Sequence, residues 1–362
     1  MKRREFLTTA GAALALSACK GSSTISDSGI SQKKFRWKMV MIVPKTFPIW
    51  GPGMIQFAEN VKIISRGSLV IDVYGANELV PALGVFDAVK GGSIEMGHSA
   101  AYYWDGKLPA AVFFTSIPFG MNANGMNAWL NAGEGQKLWD ELYAPQNLKA
   151  FPCGNTGVQM GGWFRKEINS IDDFKGLKMR MPGLGGKTIK KAGASPELIP
   201  GAEIYTNLAT GVIDATEWIG PYHDYIMKFQ NVTKYYYSGG WHEPGSVLEL
   251  LMNKKSWESL TPELKTIVKV CAAQTDRDMF AQWIAKDSEY YQKILDEKKV
   301  SVREYSVNVI RPMKKYAAEV LEEVKNSAPL AKKIHDSYKT FQRMYEQYQE
   351  VSERAYVRAQ KA

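Results

Sequence analysis

Residues 35–43 read Phe-Arg-Trp-Lys-Met-Val-Met-Ile-Val, an apolar and β-branched run that predicts a first β-strand. Apolar residues recur at helical spacing over 54–64, and residues 69–74 read as a second strand. A further helix is predicted over 81–90 and a short strand over 94–99. Strands that alternate with helices indicate an α/β domain with a largely parallel sheet.

The length of the chain and a repeated pattern indicate two lobes. At 362 residues, the chain is too long for one ordinary domain. Residues 86–96 and 206–216 each contain a helix end, a glycine, an Ile–acid pair and a predicted strand. The repeat fits two lobes of similar design, although any α/β protein makes such turns. Because ligands of open α/β sheets bind beyond the carboxyl ends of strands, residues 97–104 and 217–222 are predicted to line a cleft.

The rest of the chain adds further strands and then becomes helical. Strands are predicted over 158–164, 177–181, 213–218 and 247–252. Thr261-Pro-Glu263 is a strong helix start, with Thr as N-cap, Pro at the first position and an acid in the first turn. Pro312 precedes a charged, amphipathic region that forms either a solvated face or a surface for a partner chain.

The N-terminal residues have the order of an export signal. Residues 2–4 are Lys-Arg-Arg, an Ala-rich apolar run covers 6–16, and Leu-Ser-Ala leads to Cys19. A membrane span needs about 20 apolar residues, so residues 1–18 are predicted to be a cleaved signal peptide. The arginine pair resembles the twin-arginine pattern, and Leu-Ser-Ala-Cys resembles a lipoprotein box with Cys19 lipidated. An ordinary signal peptide cleaved nearby is the alternative, and residues 19–32 are predicted to be a flexible tether.

Composition and the absence of common catalytic motifs reduce the number of function classes to consider. The net charge is +9, but no basic block follows the N-terminus, so nucleic-acid binding is not expected. A mildly positive surface would steer small anions to the protein. The four histidines form no zinc-binding pattern, and no nucleophile elbow or Walker A loop occurs, so binding is favoured over catalysis. Cys153 and Cys271 are predicted to be buried thiols, and a disulfide, which an oxidising compartment would permit, is the alternative.

Four polar side chains stand in apolar or aromatic surroundings: Gln159, Arg180, Glu217 and Glu243. Arg180 lies in Met-Arg-Met-Pro at a predicted strand end and suits bidentate carboxylate binding, with an internal salt bridge as the alternative. Glu217 is then either its structural partner or a metal ligand. Two carboxylates and an amide carbonyl suit a hard cation such as Na⁺ or Ca²⁺ and would be poor ligands for a soft metal.

At these positions the sequence resembles the solute-binding proteins of TRAP transporters, the tripartite ATP-independent periplasmic importers. The resemblance covers residues 33–345. Its strongest parts are Met-Arg-Met-Pro-Gly-Leu-Gly-Gly over 179–186 and Ala-Thr-Glu-Trp-Ile-Gly-Pro-Tyr over 215–222, which look like the branch that binds 2-oxo acids or lactate. Residues 99–104 and 241–245 fit the same branch.

The resemblance implies a two-lobed periplasmic binding protein fold of the α/β class, with a ligand cleft between the lobes and long C-terminal helices. The first lobe is predicted to comprise residues 33–153 and 244–310, the second 154–243, and the C-terminal helical region 311–362. The implied location is the periplasm, with lipid attachment through Cys19 where the lipoprotein box is used. The implied partners are a small carboxylate, the TRAP membrane subunits and, as in some relatives, a second copy joined through a swapped C-terminal helix.

The resemblance also implies individual roles. Arg180 would anchor the carboxylate, Trp218 would form a wall of the pocket, and a Na⁺ or Ca²⁺ ion would bridge ligand and protein. The substrate hydrogen-bond donors would be Asn155 and Tyr103, with Tyr102 as the alternate. The cation ligands would be the side chains of Gln159, Glu217 and Glu243 and the carbonyl of Trp218. The expected function is capture of a small 2-oxo or 2-hydroxy monocarboxylate such as pyruvate, 2-oxobutyrate or lactate, without catalysis. An exported ligand sensor and an α/β enzyme acting on a small acid are the alternatives.

Overall fold

The computed structural model describes residues 34–362. The predicted export signal over 1–18, the lipidation site Cys19 and the tether over 19–32 lie outside the described residues. The described part contains two β-sheets surrounded by helices, which confirms the predicted α/β class.

Strands and helices are distributed along the whole of residues 34–362. The strands are β1 (Phe35–Met41), β2 (Leu69–Tyr74), β3 (Met96–Ser99), β4 (Leu148–Asn155), β5 (Gly162–Phe164), β6 (Lys178–Arg180), β7 (Ser195–Glu197), β8 (Ala215–Thr216), β9 (Tyr235–Tyr237), β10 (Val247–Asn253) and β11 (Ser301–Arg303). The α-helices are α1 (Trp50–Ile64), α2 (Val85–Gly91), α3 (Ala123–Asn131), α4 (Gly135–Tyr143), α5 (Gly183–Lys191), α6 (Gly201–Thr210), α7 (Pro221–Ile226), α8 (Lys254–Ser259), α9 (Pro262–Glu297), α10 (Val307–Lys325), α11 (Pro329–Val351) and α12 (Glu353–Gln360).

The first sheet has the strand order β2-β1-β3-β10-β4. Strand β1 runs parallel to β2 and β3, whereas β10 runs antiparallel to β3 and β4. The prediction of a largely parallel sheet is therefore wrong beyond the first three strands. The reason is that β4 leads into the second sheet and β10 returns from it, so these two connecting strands run in opposite directions side by side.

The second sheet has the strand order β11-β9-β5-β8-β6-β7. Strand β6 runs parallel to both β7 and β8, and this pairing sets Arg180 opposite Thr216. Strand β11 pairs with β9, so residues 301–303, which the sequence placed with the first lobe, join the second sheet. The carboxyl ends of β6 and β8 consequently meet at one edge, where polar side chains collect.

Three predicted boundaries need correction. The strand predicted over 158–164 is limited to β5, because Gly157 and Gly162 take positive φ angles of 73° and 124° and the chain between them loops away from the sheet. Gln159 therefore lies in a loop. Helix α1 begins at Trp50 rather than at 54, and Pro312 lies inside α10 rather than ahead of the C-terminal helices.

The longest helix, α9, contacts elements of the first sheet and elements beside the second sheet. Its 36 residues follow the predicted cap, in which the Thr261 side chain accepts a hydrogen bond from the Leu264 amide. The helix packs against β4 and α1 on the first sheet and against α7 beside the second. Helix α10 packs on α5, while α11 packs on α3, α4 and the 3₁₀ segment Pro109–Phe114.

Two acidic side chains are buried away from the edge where β6 and β8 end. Glu249 on β10 accepts hydrogen bonds from Trp104 Nε1 (2.6 Å) and the Tyr143 hydroxyl (2.9 Å). Asp224 on α7 accepts equivalent bonds from a Trp and a Tyr, namely Trp163 (2.9 Å) and Tyr236 (2.8 Å). Burial raises the pKa of each carboxyl to about 7.

Two buried histidines are each fixed between a Trp and a carbonyl. His98 Nδ1 accepts from Trp50 Nε1 (2.6 Å), and its Nε2 lies 2.8 Å from the Cys153 carbonyl oxygen. His223 repeats the arrangement, with partners Trp283 (2.9 Å) and the Pro48 carbonyl (2.8 Å). Because Nδ1 must accept from the indole, Nε2 carries the proton in both rings. Burial lowers the pKa of each imidazole to about 4.

The two cysteines of the described chain, Cys153 and Cys271, are free and buried, as predicted. Burial raises the pKa of both thiols, which keeps them protonated and unreactive. Between residues 34 and 362, no helix combines the length and apolar character needed to cross a bilayer.

Candidate functional site

Arg180 and Glu217 form a buried ion pair where β6 and β8 end. The Glu217 amide donates to the Arg180 carbonyl (3.2 Å), which extends the strand pairing by one residue and brings both side chains to the same edge. Arg180 Nη1 contacts Glu217 Oε1, and the two side chains are 1% and 0% exposed. Of the two alternatives raised for Glu217, the structural partnership with Arg180 is thus present.

The guanidinium of Arg180 is held on every side. Nη1 also donates to the Glu217 carbonyl (3.3 Å), Nη2 to the Tyr103 hydroxyl (3.3 Å) and Nε to the Ile199 carbonyl (3.4 Å). Its Cζ lies 4.9 Å from the centre of the Trp218 ring, a cation–π distance. Burial lowers the pKa of Arg180, but the Glu217 carboxylate raises it, and the net pKa lies above the ordinary value. The group is therefore a fixed positive charge.

A second polar cluster surrounds Glu243. Gln159 Nε2 donates to Glu243 Oε2 (2.8 Å) and contacts Thr156 Oγ1 (3.2 Å), and the Ser246 hydroxyl donates to the same carboxylate oxygen. Gln159 Oε1 is buried and has no partner among the described residues. Burial, followed by the nearby Glu217 charge, raises the pKa of Glu243 to about 7.

His242 links the two clusters, and the sequence analysis did not assign it a role. Its Nε2 lies 3.2 Å from Glu217 Oε2, and the ring is 1% exposed. Ligand atoms of Glu217, His242 and Glu243 lie within 4.8 Å of one another. The sequence signal was its position next to Glu243 in the turn Trp-His-Glu-Pro-Gly over 241–245, but only the fold shows that the ring faces Glu217.

Of the remaining predicted residues, Tyr103 contacts Arg180, whereas Asn155 bonds within its own turn. Tyr102 packs edge-on against Tyr103, with ring centres 4.6 Å apart, and burial raises the pKa of both hydroxyls. Asn155 is buried at the end of β4, where its Oδ1 accepts from the Gly157 amide (2.9 Å). No hydrogen bond within residues 34–362 joins it to Arg180 or to either carboxylate.

A cavity of about 340 Å³ adjoins the polar clusters on the far side of Trp218. It lies between the loop that follows β1 and the N-terminal residues of α6, so segments that follow strands of both sheets contribute walls. Phe47 meets Trp218 edge-on, with ring centres 5.9 Å apart, at this boundary. Trp218 thus separates an apolar cavity from the charged groups.

The donor set of the two clusters fits a bound cation. Two buried carboxylates face one guanidinium, so negative charge exceeds positive charge when both are ionised. The unpaired Gln159 Oε1 is a carbonyl-type oxygen that lacks a donor. Carboxylate and amide oxygens are ligands of hard cations, and an ion held by them would balance the excess charge.

Comparison with known proteins places these groups in a family. The profile described as bacterial extracellular solute-binding protein, family 7, matches residues 39–327. A monocarboxylate 2-oxoacid-binding periplasmic protein of Nostoc sp. is 37% identical over 358 residues, covering 98% of each chain. A TRAP periplasmic solute-binding protein from Pseudoalteromonas atlantica, solved with sodium and pyruvate, is 40% identical with a TM-score of 0.88, over 90% of this chain and 99% of that one. A TRAP solute-binding protein from Bordetella bronchiseptica, a mixed-occupancy dimer with calcium and picolinate, is 34% identical with a TM-score of 0.88, over 91% and 97%.

Proposed function

Because the chain belongs to family 7 of the bacterial extracellular solute-binding proteins, we propose that it captures a small 2-oxo or 2-hydroxy monocarboxylate of the pyruvate or lactate type. It passes this solute to the membrane subunits of a TRAP importer. The observation that carries the proposal is the buried, fixed positive charge of Arg180 beside two carboxylates. The sodium and pyruvate in the Pseudoalteromonas protein support it.

Arg180 is the anchor for the ligand carboxylate in this proposal. Its guanidinium lies over the Trp218 ring and donates to Tyr103, so its orientation is set before any ligand enters. A planar guanidinium offers paired donors that match the two oxygens of a carboxylate. The Tyr103 hydroxyl and the Asn155 amide are the proposed additional donors, with Tyr102 as the alternate.

The two carboxylates hold the cation. A cation at this site would bind both the carboxylate and the neighbouring oxo or hydroxyl oxygen of the ligand, which a lone arginine cannot serve. Gln159 supplies its free Oε1, Glu217 and Glu243 supply charge, and the Trp218 carbonyl is the fourth proposed ligand. Because the carboxylates repel an anionic solute, we expect cation and acid to bind cooperatively.

The proposal also covers where the protein is located and how it assembles. Export through residues 1–18, lipid attachment at Cys19 and the tether over 19–32 would hold the protein at the periplasmic face of a membrane. Tyr348, Val351 and Tyr356, near the junction of α11 and α12, are more than half exposed. Exposed apolar side chains of this kind favour a homodimer through the C-terminal helices, as does the dimer of the Bordetella protein.

Thermal unfolding with a panel of acids tests the proposal. The chelator-treated protein is melted with pyruvate, 2-oxobutyrate or lactate in Na⁺, in Ca²⁺ or in neither, because a ligand that binds the native state raises the melting temperature. Acetate and propionate are matched controls without the second oxygen. We expect the 2-oxo or 2-hydroxy acids to stabilise the protein only when a cation is present. If none of them stabilises it in any salt, the proposed solute class is wrong.

A further inference from the structure

His223 and His98 make the same pair of buried hydrogen bonds, but only the bonds of His223 connect elements of the two sheets. The partners of His98, on β3, are Trp50 at the start of α1 and the Cys153 carbonyl on β4, so all of them belong to the first sheet or to the helix packed on it. His223 lies on α7, which follows β8 of the second sheet. Its Nε2 donates to the Pro48 carbonyl (2.8 Å), which lies in the loop that follows β1 of the first sheet.

The loop that His223 contacts is tightly bent and packs against Trp218. Phe47, next to Pro48, stacks on the His223 ring with ring centres 4.8 Å apart and an interplanar angle of 26°. The same phenyl ring meets Trp218 edge-on at 5.9 Å. Ile49 takes a φ of 60°, a conformation that is rare for a β-branched residue. Such a conformation persists only where surrounding contacts fix it, and the two contacts with His223 are of this kind.

These contacts form a chain that ends at Arg180. Trp218 contacts Phe47 and also the Arg180 guanidinium, whose Cζ lies 4.9 Å from the centre of the indole ring. On the other side of the imidazole, the His223 Nδ1 accepts from Trp283 Nε1 (2.9 Å) on α9. Because the ring is fully buried, it cannot turn without breaking a buried hydrogen bond. The position of Phe47 against Trp218 therefore depends on His223.

We propose that His223 is a positioning residue for solute retention, which fixes the loop after β1 against Trp218 and thereby keeps Arg180 oriented and the bound acid enclosed. The inference rests on the proposed function, because the retained solute is the acid that Arg180 anchors. The bond from His223 to Pro48 joins elements of both sheets, so it breaks when the two parts of the molecule separate to release the solute. Its loss should accelerate release and leave the rate of entry unchanged, because the acid enters before the two parts close.

Stopped-flow binding of pyruvate to the full chain, in the presence of the cation, measures the association and dissociation rates that test this role. His223→Leu removes both hydrogen bonds, whereas His223→Gln keeps one donor and one acceptor. His98→Leu is the matched control, since it removes the same pair of buried bonds beside the first sheet. We expect His223→Leu to raise the dissociation rate about tenfold or more and to change the association rate less than about threefold, with His223→Gln recovering part of the loss. His98→Leu should lose a similar amount of unfolding free energy in urea but leave both rates within about threefold of the wild type.

Phe47→Leu tests the same chain of contacts with less disturbance of the interior, because Phe47 is only partly buried. We expect it to raise the dissociation rate as well. Equal changes of the rates in His98→Leu and His223→Leu would show that His223 has only a structural role. Unchanged dissociation rates in His223→Gln and Phe47→Leu would also overturn the proposal, even if His223→Leu does not fold.

Small-angle scattering without any acid separates this proposal from the proposed function. If the wild type binds none of the acids, the proposed function fails, and the scattering then decides whether His223 holds the two parts of the molecule together. We expect His223→Leu to have a larger radius of gyration than both the wild type and His98→Leu. Equal radii for all three proteins in that case would overturn the role of His223.

Discussion

Replacing Arg180 by Met separates the role of the buried ion pair in stability from its role in binding. Met removes the positive charge and leaves an apolar side chain on Trp218. Glu217 then remains fully buried, with His242 at 3.2 Å as its nearest donor side chain. The change therefore creates an uncompensated buried carboxylate, whereas Arg180→Met combined with Glu217→Gln removes both charges together.

The expected losses of unfolding free energy differ enough between these variants to be measured. Removing one partner of a buried ion pair costs about 3–5 kcal/mol, while replacing the whole pair by neutral groups is about neutral. Against a typical free energy of unfolding of about 5–15 kcal/mol, the single variant loses a large part of its stability. Arg36→Met is the control, because the Arg36–Asp72 pair has comparable geometry (2.7 Å) but an arginine side chain 74% exposed. It should cost less than about 1 kcal/mol.

Urea unfolding, monitored by tryptophan fluorescence, gives the free energies of unfolding. Calorimetry gives the affinity for pyruvate. We expect Arg180→Met to have the lowest free energy of unfolding of the three variants and the double variant to have nearly that of the wild type. Both variants that lack Arg180 should lose acid binding. A double variant as unstable as the single one would refute the reasoning about the uncompensated charge. Micromolar pyruvate affinity in Arg180→Met would remove Arg180 as the anchor.

Three further predictions follow from the packing and the buried charges. Because burial raises the pKa of Glu249 to about 7, its contribution to stability is fully present below its unfolded pKa and is lost as pH rises through 7. The stability of the wild type relative to Glu249→Gln should thus fall by about 3 kcal/mol between pH 4.5 and 7 in urea titrations, and a constant difference would contradict this. Gly201→Ala should weaken acid binding about tenfold, since the added Cβ would lie 2.4 Å from the Trp218 ring, while Gly91→Ala, which meets nothing within 4 Å, should not. Lys187→Ala removes a partly exposed salt bridge of 3.0 Å to Asp105 and should change the free energy of unfolding by less than about 1 kcal/mol, so a larger loss would give that bridge a structural role.

The sequence predicted the strands that obey simple patterns and missed four others, β4, β7, β9 and β11. Strands β1, β2 and β10 are uninterrupted apolar or alternating runs, and they lie close to their predicted positions. Strand β4 contains Pro152 and Gly154, residues that argue against a strand, and its place in the sheet depends on pairing with the distant β10. The antiparallel half of the first sheet could not be predicted, because it follows from the path of the chain between two sheets.

The candidate site was predictable where chemistry is local and unpredictable where it depends on packing. Arg180 and Glu217 stood out because charged residues at strand ends in apolar surroundings need a reason to be there. Their direct contact follows from the parallel register of β6 and β8, which no local pattern reveals. His242 was missed because its sequence neighbours are equally compatible with a surface turn, and its burial against Glu217 is a property of the fold.

The four buried ionisable groups described with the fold have opposed effects on tolerance to acid. His98 and His223, whose pKa is lowered to about 4, lose stability as pH falls from 6.5, since only the neutral rings fit between a Trp donor and a carbonyl. Asp224 and Glu249, whose pKa is raised to about 7, gain stability over the same interval. Each of the four contributes about 3–4 kcal/mol, so the two pairs nearly cancel. The summed contribution of these four groups to the folding free energy is therefore almost constant between pH 4.5 and 6.5, although every one of them is individually sensitive.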